Sequence, residues 1–391
     1  MKRGPGLHLK GELLFGPNSS MYAVVDVIGE GSFGKVSKCL RLEDKRVVAV
    51  KVLKRANEDT KKELRALKAV SVLDPDRANI IRFFEHFEDM GRTCLAFEML
   101  DMDLHSLLER RQCVPLSSHE IRPIAKQLLV ALDALKGLRV LHTDIKLDNI
   151  MLVDAVNQPF RVKLIDFGLA VPTSAVRPGA VLQPRGYRAP EVYLGLPVTE
   201  AIDMWGLGCV LVALYLAEHL FPITCDYLMT EREFMEVTHV IPRRWPGFFN
   251  VLDCLEDLID IQPNQEAAEL RDSRAFFDLL KGMLQVDREL RVTPAEALQH
   301  PYITMSHLSG DPSSTQYLIT CQRAMAVCPA EDTLDGETTA EVPEPALWLI
   351  RPPSPPPQHL AEDDDAQAEE QVGPALQQPS RSLYFRMCVV R

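Results

Sequence analysis

The chain has 391 residues, 46% of them apolar, and a net charge of −12. That length and apolar share suit one large globular domain, or two smaller ones, with a tail, and the acidic balance argues against a general nucleic-acid binder, which is usually basic. Nine cysteines are scattered without a C-x-x-C pair, which points to reduced thiols in an intracellular protein. The opening "MKRGPGLHLKGELLFG" has no continuous apolar run, so no secretory signal is expected. Residues 1–21 read as a lead-in. From Tyr22 the pattern is strand-like: "YAVVDVIG", "GKVSKCL" and "RVVAVKVL" are short β-branched runs separated by Gly or charged turns. Residues 59–73 switch to helical spacing, with Leu64, Leu67 and Val70 on one side. "IIRFFEHFE" and "TCLAFEML" return to strands. Beyond residue 103 helical patterns dominate, over 104–111, 118–137, 201–217 and 273–286. The most apolar stretch, "MWGLGCVLVALYLA", is 14 residues long and fits a buried core helix rather than a membrane span. A small sheet-rich lobe therefore precedes a larger helical one, with no internal repeat. Globular character fades after about residue 305. Residues 331–391 are acidic and Pro-rich and are expected to be disordered. Within them "PPSPPP" reads as solvated chain or, more sharply, as a polyproline ligand or a Ser354-Pro355 phosphorylation site.

Four segments carry chemistry. "IGEGSFGKV" runs from Ile28 to Val36 and contains Gly29, Gly31 and Gly34 as G-x-G-x-x-G, with Glu30, Ser32, Phe33 and Lys35 between them. Alone this is a weak signal, shared by dinucleotide fingerprints and tight hairpins. A fingerprint opens a helix, whereas "KVSKCLRL" reads as a second strand, so the turn is a hairpin whose backbone N–H groups can approach phosphates. Lys51 ends the apolar run "VVAVK" and can point beneath that hairpin. A buried ammonium needs a partner, and Glu63 on the following helix supplies one. "VLHTDIKLDNIML" sets Asp144, Lys146, Asp148 and Asn149 between apolar runs. Asp144 can orient and deprotonate a hydroxyl, Lys146 can neutralise a transferred phosphoryl group, and Asn149 can hold a metal. "LIDFG" adds Asp166, and a carboxylate with an amide suits magnesium bridging phosphates. The alternative, a charged loop and an unrelated D-F-G turn, leaves the order of all four segments to coincidence.

Over residues 22–302 the chain resembles a eukaryotic protein kinase, with the Gly-rich loop, the strand Lys, the catalytic loop, D-F-G and "APE" in order. The resemblance implies an α+β, two-lobed protein-kinase fold and ATP with Mg2+ as cofactors. It implies that Asp144 is the catalytic base, that Lys51 holds the α- and β-phosphates with Glu63 as its helix partner, and that Asn149 and Asp166 are the metal ligands. Phe97 falls at the gatekeeper, Glu98 and Leu100 supply hinge backbone to adenine, and Ile28, Val36, Ala49 and Met151 sandwich the purine. Asp203 resembles the residue that braces the catalytic loop, Glu191 and Arg291 a buried ion pair, and Lys146 the serine/threonine form of the loop. "TCLAFEML", "NIMLVD", "RGYRAPE", "LLKGML", "HPYITMSHL" and "CQRAMAVC" narrow the likeness to the homeodomain-interacting protein kinases of the CMGC group, extending to about residue 328 through a 303–330 extension. Arg188 matches the arginine that accompanies proline-directed substrates.

Three departures stand out. Thr143 replaces an Arg that usually binds a phosphate on the activation segment. Val181 stands where relatives carry an activation-segment Tyr, and its packing on the helical lobe is expected to order the segment without phosphate, leaving Tyr187 and Thr173 as other acceptors. The segment after Phe221-Pro222 is shorter than in those relatives. The resulting expectation is a protein serine/threonine kinase, proline-directed, acting on protein substrates such as transcription regulators, with no direct nucleic-acid or membrane binding, in the nucleus and/or cytoplasm. Tail-binding partners of the polyproline motif are also expected. The rival readings are a pseudokinase scaffold, disfavoured because Lys51, Asp144, Asn149 and Asp166 are all present, and a small-molecule kinase, disfavoured by "APE" and Arg188. His239, His300 and His307 have no metal-ligand spacing and read as structural, and Cys388 in "CVVR" is an atypical prenylation box.

Overall fold

The computed structural model describes residues 10–17, 20–31, 34–53, 58–177, 179–221, 255, 258–259, 266–309 and 314–329. The tail expected from residue 331 and most of the segment after Phe221 lie outside them.

Six strands build the first lobe: β1 (Leu13–Phe15), β2 (Met21–Glu30), β3 (Gly34–Arg41), β4 (Val47–Leu53), β5 (Phe83–Asp89) and β6 (Arg92–Glu98), in sheet order β1-β2-β3-β4-β6-β5. All neighbours are antiparallel. Strict alternation explains how β4 serves two surfaces. Val48, Val50 and Val52 are wholly buried with Tyr22, Cys39, Phe87 and Cys94, while Ala49 and Lys51 face the other way, towards the cleft. The two edge strands approach one another, since the Phe15 N–H donates to the Asp89 carboxylate at 3.3 Å and Arg92 pairs with Glu12. The sheet is therefore curled.

The helix α1 (Glu58–Val70) packs Leu67 and Val70 inward, as its spacing predicts. The strand expected from Ile80 starts at Phe83 instead. Ile80 and Ile81 are claimed by a distant partner: Ile80 bridges Leu164, and the Ile81 N–H donates to the Leu164 carbonyl at 3.0 Å. These bonds join the two lobes.

The second lobe contains α2 (Leu104–Arg110), α3 (Ser118–Gly137), the pairs β7 (Val140–Leu141) with β10 (Val171–Pro172) and β8 (Ile150–Asp154) with β9 (Gln158–Leu164), then α4 (Pro190–Tyr193), α5 (Ala201–Leu216), α6 (Ala267–Met283), α7 (Pro294–Leu298), α8 (Pro301–Thr304) and α9 (Thr315–Met325). A capping box of Ser117 and Glu120 starts α3. As expected of a segment apolar all round, α5 is a core helix, buried from Ile202 to Tyr215. No helix among the described residues is long and apolar enough to cross a membrane. The predicted 273–286 helix starts earlier, at Ala267, because the polar turn "AAELRDS" carries Asp272 into the core.

Asp272 sits in a closed polar shell. It pairs with the equally buried Arg122 and accepts from Ser118 Oγ at 2.9 Å and Tyr317 Oη at 2.8 Å, with His307 Nε2 at 2.9 Å. Burial alone would raise its carboxyl, but His307, Arg122, Tyr317 and Ser118 together hold it below the usual carboxylate range. Through Tyr317 and the buried Cys321, α9 completes this shell, so folded structure continues well past residue 305. A carboxyl lowered in the folded state contributes stability above its unfolded pKa and loses it as pH falls through the folded value. Tyr317→Phe should therefore cost about 1 kcal/mol at neutral pH and move the acid limb of unfolding to higher pH. Denaturant melts across the acid range will check both, and an unchanged acid limb would contradict the role given to Tyr317.

Candidate active site

Gly29 pairs with Val36 and Glu30 with Lys35 across the β2–β3 hairpin, and the Gly31 N–H donates to the Gly34 carbonyl at 2.9 Å. Glu30 and Lys35 also form an ion pair at 3.4 Å. The glycines answer different needs. A Cβ on Gly34 would collide with the Val52 carbonyl, so packing demands that glycine. A Cβ on Gly31 would meet no atom within 4 Å among the described residues, so packing there does not demand that glycine. Ser32 and Phe33 lie outside the described residues.

Lys51 Nζ reaches Glu63 Oε1 at 2.6 Å and Asp166 Oδ1 at 3.0 Å. Burial would lower the Lys51 ammonium, but Asp166 and Glu63 outweigh it and hold it above its ordinary value. Burial pushes the Glu63 carboxyl up against the pull of Lys51. Asp166 is also desolvated, yet Lys51 and the Gly168 N–H hold it down. Removing the shared cation leaves two carboxylates facing each other. Lys51→Met should cost about 3–5 kcal/mol, and Lys51→Met with Glu63→Gln should recover part of that loss. Thermal melts of the two variants beside the parent will show it, and a single variant as stable as the parent would refute the triad's energetics.

Asp144, Lys146 and Asn149 are gathered by the loop between β7 and β8. Asp203, in the first turn of α5, accepts the His142 N–H at 2.7 Å and the Thr143 N–H at 2.9 Å, one on each oxygen. It is fully buried, and burial pushes its carboxyl up. Thr143 is left-handed, with φ of 65°, and its hydroxyl donates to the Leu169 carbonyl at 2.8 Å. His142 Nδ1 accepts the Asp144 N–H at 3.3 Å, so the other ring nitrogen is the one that donates to the Ile165 carbonyl at 2.9 Å. Asp144 Oδ2 then receives Lys146 Nζ at 3.1 Å and Asn149 Nδ2 at 2.6 Å.

Asn149 precedes β8 and Asp166 follows β9, so the hairpin brings them to one end, where the Ile165 N–H donates to the Asn149 carbonyl at 3.0 Å. Asp166 is also left-handed, with φ of 59°. Its Oδ1 is taken by Lys51 and Gly168, and Asn149 Nδ2 by Asp144, which leaves Asp166 Oδ2 and Asn149 Oδ1 as two hard oxygen donors. That pair fits a magnesium ion. Among the described residues no group of three or more His, Cys, Asp or Glu is arranged for a metal.

Between the lobes lies an open cleft of about 660 Å³. Of the residues expected at nucleotide and metal, Ile28, Val36, Ala49, Lys51, Glu63, Phe97, Glu98, Leu100, Met151 and Asp166 line it. Among the described residues, Gly29, Glu30, Gly31, Gly34, Lys35, Asp144, Lys146 and Asn149 are not among its walls. Leu67, Ile81, Met99, Ile165 and Phe167 are walls that sequence reading missed. Leu67 lies one helical turn from Glu63, and Ile165 and Phe167 flank Asp166, so helical spacing and adjacency were the available signals.

Residues 22–303 match the family model described as a protein kinase domain. The chain belongs to the protein kinase family. It is 35% identical to homeodomain-interacting protein kinase 1 of Mus musculus over 383 residues, covering 85% of this chain and 31% of that protein. Homeodomain-interacting protein kinase 2 of Mesocricetus auratus is 35% identical over 359 residues, with 79% and 30% covered. Homeodomain-interacting protein kinase 4 of Homo sapiens is 34% identical over 351 residues, with 76% and 57% covered. The chain spans about a third of the length of the first of these relatives. A crystal structure of a kinase domain superposes with a TM-score of 0.59 at 26% identity, covering 75% of this chain and 97% of that one.

In this kinase the activation segment is held by polar bonds rather than by Val181. Val181 is 78% exposed, which corrects the expectation that it packs on the helical lobe. Its neighbours are fixed by their backbone instead. Arg188 Nε donates to the Leu182 carbonyl at 2.8 Å and Nη2 to the Gln183 carbonyl at 2.9 Å. The Gln183 amide spans from the Ile202 carbonyl to the Ala189 N–H, and Gln183 is left-handed, with φ of 64°. Tyr187 is buried with its hydroxyl 3.2 Å from His219 Nδ1, so in this conformation it is closed to phosphate, whereas Thr173 is partly exposed. Glu191 and Arg291 form a buried bidentate pair at 2.7 and 2.9 Å.

Proposed function

We propose that the chain is an ATP-dependent serine/threonine protein kinase that phosphorylates hydroxyls followed by proline. The observation that carries this reading is the convergence of the Lys51–Glu63–Asp166 triad with the braced Asp144–Lys146–Asn149 loop beside one apolar cleft. The cleft's aliphatic walls suit a purine, with the Glu98–Leu100 backbone along its edge. Lys51 is placed to bind α- and β-phosphate oxygens. Asp144 has both its contacts on Oδ2, so Oδ1 is left to orient the attacking hydroxyl and take its proton. Lys146 is placed to offset charge on the phosphoryl group in transfer. Asn149 and Asp166 would hold magnesium, which would supply positive charge against the phosphates.

Proline selectivity follows from Gln183. Its carbonyl is committed to Arg188, so a substrate N–H passing it finds no acceptor. An unpaired N–H costs about 1–3 kcal/mol on burial, and proline has none. The same bonds support activity without tyrosine phosphate at position 181. Protein substrates, including transcription regulators, partners of the tail, and a site of action in nucleus or cytoplasm belong to this proposal.

The test is a peptide array with labelled ATP and magnesium, using bacterially expressed chain before and after phosphatase treatment. Ser-Pro peptides should exceed Ser-Ala peptides by about 5- to 150-fold, the equivalent of that energy. Arg188→Ala should narrow the ratio. Asp144→Asn should abolish transfer while nucleotide binding persists, and a nucleotide-binding chain with no transfer at all would favour the scaffold reading. Loss of activity on dephosphorylation would overturn phosphate-independent ordering.

A further inference from the structure

Behind the cleft lies a second charge cluster that the transfer reaction does not use. Lys163, on β9, is 1% exposed. Its Nζ lies 2.6 Å from Glu98 Oε1 and 2.6 Å from Asp76 Oδ1. Glu98 is the residue at which β6 becomes the hinge, and its Oε1 also accepts the Arg82 N–H at 2.6 Å. So the Glu98 carboxylate turns away from the cleft that its residue lines. Asp76 lies in the connection between α1 and β5. Its outer oxygen pairs with Arg82, and its carbonyl accepts Arg161 Nη2 at 2.6 Å. Arg161, two residues before Lys163, is buried and reaches Gln127 Oε1 at 2.6 Å as well as Asn79 Oδ1.

This arrangement is costly for stability alone. Asp76 keeps 58% of its side chain exposed, but the Lys163 ammonium is buried beside Glu98, and a buried ion pair rarely outperforms an apolar side chain of similar size. Its placement points to another use. Lys163 stands opposite Met151, a cleft wall, near the end of the strand that leads to Asp166. The backbone around it is bonded into the same connection, with the Leu164 N–H donating to Asn79 at 2.8 Å and the Glu98 N–H to Arg82 at 3.0 Å. One ammonium thus ties together the hinge, the α1–β5 connection and the strand that leads to Asp166. Those are the parts that must keep their spacing for adenine and phosphates to be held at once. Asp76 is held below the usual carboxylate range chiefly by its Lys163 bond, which agrees with a persistent contact.

We propose that Lys163 is a positioning residue for nucleotide: it fixes the hinge carboxylate of Glu98 and so preorganises the cleft for ATP. The inference rests on the reading of this cleft as an ATP site. With the tie cut, ordering of the hinge is left to the nucleotide, which weakens binding without touching Asp144.

The experiment compares the full chain with its Lys163→Met and Glu98→Gln variants and the double variant, measuring KM for ATP, KM for a Ser-Pro peptide, kcat, and ATP affinity by calorimetry. Lys163→Met should raise KM and Kd for ATP by about fivefold or more, leave peptide KM unchanged and keep kcat within about twofold. Glu98→Gln should shift the same constants, which keeps the test open if Lys163→Met folds poorly. The double variant should be little worse than either single one, since all three cut one tie. Equal ATP constants in parent and variants would overturn the role of Lys163, as would a fall in kcat and melting temperature with KM for ATP unmoved. A rise in kcat on cutting the tie would also overturn it, because the cluster would then restrain the hinge instead of positioning it. A parent chain that binds no ATP would instead overturn the ATP reading itself.

Discussion

Asp203 accepts two backbone N–H groups from consecutive residues, and the catalytic loop is organised around that grip. A loop that contains a left-handed threonine has no regular ladder to hold it. The buried carboxylate supplies the missing acceptors and fixes His142, whose two ring nitrogens then link the Asp144 backbone to the Ile165 carbonyl. The T-shaped contact of His142 with Phe167, at 5.1 Å between centroids, extends the same order to the turn that carries Asp166. One carboxylate on a core helix thereby supports the backbone of Asp144 and the turn that carries Asp166.

The remaining geometry is electrostatic. Lys51 belongs to the sheet, Glu63 to a helix and Asp166 to the second lobe, so their mutual attraction carries lobe-to-lobe registry as well as charge balance. The Lys163 cluster joins the lobes again, behind the hinge. Both are ion clusters that span the cleft's borders, where a low local dielectric strengthens them and an unpaired member is expensive.

Much of this was legible in the sequence because the relevant order is local. Period-two alternation in "VVAVKVL" separates the core valines from Ala49 and Lys51, and the unbroken apolar run of α5 marks it as a buried helix. Asp144, Asn149 and Asp166 sit beside short strands whose pairing is nearly predetermined by sequence proximity. What was not legible depends on distant partners. Ile80 and Ile81 look like strand residues, yet bonds to Leu164 make them a connector. Lys163 carries no signal of its own in the sequence, because its partners Asp76 and Glu98 reach it only through the fold. Val181 is apolar and invites a packing role, but Arg188 takes the neighbouring carbonyls and the side chain is left in solvent. Walls such as Leu67 and Phe167 are ordinary core residues by type, and their spacing from Glu63 and Asp166 was the one signal in the sequence that set them apart.

Thr143 occupies the position of an absent arginine, and its hydroxyl reaches the Leu169 carbonyl directly. A guanidinium–phosphate pair in that place would weaken as ions accumulate, since exposed charges are screened within about 10 Å at 0.1 M salt. A neutral hydroxyl-to-carbonyl bond carries no such dependence. The link that Thr143 makes between the catalytic loop and the start of the activation segment accordingly rests on no ion pair and is not itself subject to screening.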